Sequence, residues 1–141
     1  MLLFLEKTIY NKNVKSKRGG EKMASLDMNG PHELSKEKID NNVTRTSPGN
    51  YALGHVSDST FYINYVGRSD VDVNYRLKGW VGKNSKYTHF KFSYATSPKA
   101  AFEKECRNFH DFGGTEKLDN EQHPQRPEGS DWKCPVCDVF D

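Results

Sequence analysis

Residues 97–114, SPKAAFEKECRNFHDFGG, constrain the fold more than any other stretch of this chain. Ser97 is a capping type, Pro98 suits a first helical position and Gly113 with Gly114 suits a helix end. The segment therefore predicts one helix. At about 100° per residue, Ala101, Phe102, Phe109 and Phe112 fall on a single apolar stripe, and Glu105 falls in its middle. Glu103 points the other way, to solvent. The helix must cover another layer of structure while pressing a carboxylate against it. Burying that carboxylate costs several kcal/mol unless an arginine, a divalent cation at the rim of the core, or a proton compensates it.

The rest of the chain has to supply that layer. Its 141 residues favour one domain, and 34% hydrophobic with 12% aromatic content predicts a soluble domain whose core leans on Tyr and Phe. No apolar run approaches the ~18 residues of a membrane span. MLLFLE is too short for a secretory segment. Three cysteines, an odd number, disfavour a disulfide framework and favour a cytoplasmic compartment. Residues 1–23 read as a disordered or extraneous extension, with Met23 as an alternative start, since RGGE just upstream suits a ribosome-binding site at the codon level. The competing reading is a basic arm that touches nucleic acid.

Residues 24–47 read as a helical lead-in, with Ser35 capping a short helix over residues 33–43. SPGN turns the chain, and YALGHV and FYINYVG form a hairpin around SDST. Strict alternation puts Phe61, Ile63 and Tyr65 on one face of the second strand, and Tyr62, Asn64 and Val66 on the other. A short helix comes next, capped by Asp70 or Asp72, then a strand in YTHFKFSYA. The expected fold is a small α/β (α+β) domain: a mostly antiparallel three-stranded sheet flanked by helices, with a loop-rich tail over residues 125–141.

Both early strands set tyrosine beside glycine, as GNYALG and NYVGRSD, and Arg76 stands nine residues after Gly67. At these positions the chain resembles the GIY-YIG nuclease superfamily. Gly49-Asn50-Tyr51 stands for the first motif, Tyr65-Val66-Gly67 for the second, Arg76 for the helix arginine, Glu105 for the metal-holding glutamate and Asn120 for the late asparagine. The resemblance covers residues 48–124. Asn50 replaces the motif isoleucine, Trp80 stands where some members have histidine or lysine, and Arg68 stands where others have lysine. The resemblance implies metal-dependent hydrolysis of a phosphodiester, in DNA rather than RNA. One Mg²⁺ or Mn²⁺ would sit at Glu105, Arg76 would clamp the phosphate with help from Arg68, and Tyr51 or Tyr65 would orient or deprotonate water. The charge pattern is compatible with a polyanion: residues 76–107 carry eight basic against two acidic side chains. An inactive binding module stabilised by zinc is the alternative.

A second chemistry shares the helix. Cys106 and His110 lie four residues apart on one helical face, and CPVC supplies Cys134 and Cys137 at zinc-knuckle spacing. Together they predict a closed zinc site that pins the tail to the helix. His123 is the alternative fourth ligand or a substrate contact, and plain reduced or redox-active thiols are the competing reading of CPVC.

Overall fold

The computed structural model describes residues 25–141; the extension and the Met23 start lie outside the described residues. The elements run β1 (Asn29–Glu33), α1 (Lys36–Asn42), β2 (Gly49–Ser57), β3 (Thr60–Ser69), α2 (Val73–Lys78), β4 (His89–Tyr94), α3 (Pro98–Asp111) and α4 (Gly114–Lys117). The sheet has four strands in the order β1-β4-β2-β3, and every pairing is antiparallel.

The three-stranded expectation therefore falls one strand short. NGPHE has no apolar alternation and contains a proline, so nothing local marks it as a strand. It becomes one by pairing with β4 at the sheet edge, where a missing N–H is tolerated. The lead-in is thus a strand and then a helix rather than helical alone. Ser35 caps α1 by accepting from Lys38 N–H, as its position predicts.

Asp58 and Ser59, with φ of 52° and 64°, close the β2–β3 hairpin. Two consecutive left-handed residues match the right-handed twist of the flanking strands. The alternation expected along β3 breaks once. Leu53 pairs with Tyr65, but Gly54 pairs with Ile63, so Asn64 is an extra residue in a bulge. Its insertion reverses the facing of the later residues of the strand. Phe61, Ile63 and Val66 pack with Ala52 on one side of the sheet, and Tyr65 joins Tyr51 and Leu53 on the other.

Helices cover both faces. On one, Phe109 and Phe112 at the end of α3 pack against Ala52, Phe61, Ile63 and Val66. On the other, Ile39 of α1 and Val73 and Leu77 of α2 pack against Tyr51, Leu53, Phe90 and Phe92. The tail docks as a third cluster, with Trp132, Cys134 and Phe140 against Phe102 and Cys106. No helix among the described residues is long and apolar enough to cross a membrane.

Candidate functional site

The bulge in β3 brings Tyr65 to the same side as Tyr51, and a cleft of about 230 Å³ opens beside them. Tyr51 comes from β2, Tyr65 and Arg68 from β3, Arg76 from α2 and Glu105 from α3; all five line this one cleft. The glycine of the second motif has a steric reason here. Gly67 pairs directly with Tyr51, and a Cβ at Gly67 would sit 2.5 Å from the Tyr51 hydroxyl and ring. The bare backbone lets that ring lie flat across the strand.

Trp80, which lines an adjoining pocket with Tyr65, backs the two tyrosines. Its indole N–H donates to the Tyr51 hydroxyl at 2.9 Å, and its ring lies 4.9 Å from that of Tyr65. Burial and the neighbouring Tyr65 push the Tyr51 hydroxyl well above the usual tyrosine range. Tyr65 is also raised, by burial and then by the Glu105 carboxylate. Both shifts favour the protonated phenol.

Glu105 sits inward, 8% exposed, as its place on the α3 stripe predicts. Its partner is Arg68, whose Nη1 donates to Oε1 at 2.5 Å. Each nitrogen of the guanidinium has a partner: besides Nη1, Nε donates to Asp70 at 2.8 Å and Nη2 donates to the Gln125 carbonyl at 2.9 Å, and the group lies over the Phe102 ring. Burial raises the Glu105 carboxyl above its usual value even though Arg68 opposes the shift. Asp72 caps α2, which leaves Asp70 for Arg68. Arg76 points to the cleft, donates to the Arg68 carbonyl at 3.3 Å, and has no ion pair among the described residues.

Asn120 is placed differently. Its Oδ1 accepts from Val66 N–H at 3.1 Å and its Nδ2 donates to Val66 C=O at 2.8 Å, a two-point clamp on the edge strand. It lines an adjoining pocket of about 460 Å³ that also reaches Tyr65 and Glu105, but its side chain is spent on the backbone.

The Cys/His site differs from the expected set by one residue. The donor atoms of His110, His123, Cys134 and Cys137 all lie within 4.8 Å of one another, a group that could hold a metal ion. Cys106 stands outside it. Fully buried against Phe102 and Cys134, its thiol is pushed up by burial and by the neighbouring Cys134, which disfavours the thiolate that a metal needs. His123 takes its place. Its Nδ1 lies 2.8 Å from the Pro124 carbonyl, which fixes the proton there and turns Nε2 to Cys137 Sγ at 3.4 Å. Two ligands of one tetrahedral zinc stand ~3.5 Å apart. The CPVC turn orders one of these donors: Val136 and Cys137 N–H groups both point at Cys134 Sγ at 3.4 Å. Burial would raise that thiol, but these amides and His123 hold it at about 7.

No family model, curated protein or solved structure matches this chain.

Sequence reasoning missed Trp80 as a partner of Tyr51, the Gln125 carbonyl as a partner of Arg68, and His123 as the preferred donor. A polar loop, EQHPQRP, carries two of these three, and its spacing encodes nothing periodic.

Proposed function

We propose that this chain is a metal-dependent phosphodiester hydrolase of the GIY-YIG type, acting on DNA. One observation carries the reading: Tyr51, Tyr65, Arg68, Arg76 and Glu105, drawn from four elements, line a single small cleft. A phosphodiester gathers negative charge on its non-bridging oxygens during attack, so a guanidinium facing the cleft is the group it needs. Arg76 has that position. Arg68 already has three partners, so it orients Glu105 and contributes charge at a distance. Tyr51 and Tyr65, held protonated, donate hydrogen bonds that orient the substrate or the attacking water. The donors suit a hard cation: the carboxylate and hydroxyl oxygens are here, and no thiol or imidazole lines the cleft. Mg²⁺ or Mn²⁺ held by Glu105 and waters would supply Lewis acidity toward the phosphate.

A groove beside Arg76 supports a nucleic-acid partner. Lys36, Tyr75, Arg76 and Lys78 line it, and Tyr75 is 77% exposed. An exposed ring among cations offers base stacking next to backbone charge. We also infer that zinc occupies the group formed by His110, His123, Cys134 and Cys137, as a closed structural ion.

A binding module without turnover is the second reading. It is favoured by the cleft's lack of an evident base, since burial pushes up both phenols and Trp80 takes the place of a histidine or lysine. Labelled DNA and RNA substrates incubated with Mg²⁺ or Mn²⁺ separate the two. Cleavage that is lost in Glu105→Gln, with folding and zinc retained, supports the hydrolase. Salt-dependent binding with no cleavage supports the module, and neither binding nor cleavage overturns both.

A further inference from the structure

The loop over residues 119–125 is attached to both candidate centres in succession. Asp119 N–H donates to the carbonyl of the bulged Asn64 at 2.6 Å, and Asn120 clamps both backbone groups of Val66. Three residues later His123 enters the Cys/His group. Two residues after that, the Gln125 carbonyl accepts from Arg68, the partner of Glu105. The intervening chain has no helix or strand, so these attachments hold it in place. Such short spans, at most ~3.5 Å per residue, leave little slack between one anchor and the next.

We propose that the zinc centre is a positioning element for the cleft: by fixing His123 it holds the 119–125 strap that gives Arg68 its third partner and seals β3 at Val66. The inference rests on zinc occupying the Cys/His group, and it does not depend on whether the cleft turns over substrate. The strap's anchors act in series. Metal fixes its middle, Asn120 fixes one end to the edge strand, and Arg68 reads out the other. Without the metal, His123 keeps its Nδ1 hydrogen bond to the adjacent Pro124 carbonyl, a 3.4 Å contact of Nε2 with Cys137 Sγ and ring contacts with Phe109, His110 and Phe140. The Pro124 bond lies within the strap itself, whereas coordination would tie His123 to His110 of α3 and to both CPVC cysteines at once.

Amide hydrogen exchange by NMR tests this on the full chain, with zinc content measured in parallel. Stripping zinc with a chelator should speed exchange of the Val66 and Asp119 amides by about tenfold or more, leave the central β2 amides protected, and shift the Arg68 guanidinium signals. Restoring zinc should restore all three. His123→Ala should lose zinc and show the same exchange, whereas Cys106→Ala should keep both zinc and protection. Bound zinc with unchanged exchange and unchanged Arg68 signals after stripping would overturn the coupling alone. Failure of the purified or refilled protein to bind zinc would overturn the zinc reading and the coupling with it. Loss of zinc in Cys106→Ala with retention in His123→Ala would overturn the assigned donor set. If His123→Ala does not fold, the stripping and refilling of the unaltered chain still decides.

Discussion

Arg68 Nη1 and Glu105 Oε1 stand 2.5 Å apart, tying the end of β3 to the middle of α3 across 37 residues of sequence. The carboxylate on the apolar stripe is thus matched by a guanidinium. Both side chains are nearly out of solvent, at 12% and 10% exposure. Removing one partner of a buried pair leaves an uncompensated charge and costs about 3–5 kcal/mol, whereas removing both charges costs much less. Arg68→Met should therefore destabilise by roughly 3 kcal/mol in urea unfolding, and adding Glu105→Gln should recover most of the loss. Strict additivity of the two substitutions would show that the pair is not coupled.

The Tyr51 ring over Gly67 leaves no room for a methyl group. Gly67→Ala should cost about 1–3 kcal/mol through overpacking. It should also break the Trp80–Tyr51 hydrogen bond, visible as a shift of the Trp80 indole N–H resonance. Unchanged stability and an unchanged indole signal would place the ring elsewhere.

On the proposed hydrolase reading, substrate contact divides between two neighbours on α2. Tyr75→Ala should weaken single-stranded DNA binding by about 1–3 kcal/mol with little change in its salt dependence, because a stacking ring carries no charge. Arg76→Ala should lower cleavage by about 100-fold or more and also flatten the salt dependence. Equal effects of both substitutions on salt dependence would argue against separate roles.

Histidines near the β1–β4 edge predict acid sensitivity. Burial, then Lys91 and Lys38, lower the His32 pKa from 6.5, and burial likewise lowers His89. A folded-state value below the unfolded one means that the unfolded chain binds the extra proton first. Stability is therefore full above about 6.5 and falls as pH drops from there through the lowered values. Urea midpoints measured against pH should show this decline, and His32→Gln should make it shallower without abolishing it, since His89 remains.

Much of this was legible in the sequence where the code is local. Ser35 and Ser97 act as caps because their side chains reach N–H groups only three residues on. The Asp58-Ser59 turn lies inside the loop read from SDST, and the α3 stripe faces inward with Glu105 upon it. Tyr51, Tyr65, Gly67, Arg76 and Glu105, singled out in the sequence, lie together with Arg68 along one cleft.

Sequence alone determined which face α3 turns inward, because the helix period is a property of consecutive residues. Tertiary structure decided who meets whom. NGPHE became a strand only because β4 had an open edge, and Asn64 bulged in a strand whose alternation gave no warning. Asn120 went to the Val66 backbone, the Gln125 carbonyl to Arg68, and His123 took the place expected of Cys106 in the group that could hold a metal ion. Each of these depends on where an aperiodic loop closes against a distant surface. Backbone groups that must find partners select that closure, and residue spacing does not encode it.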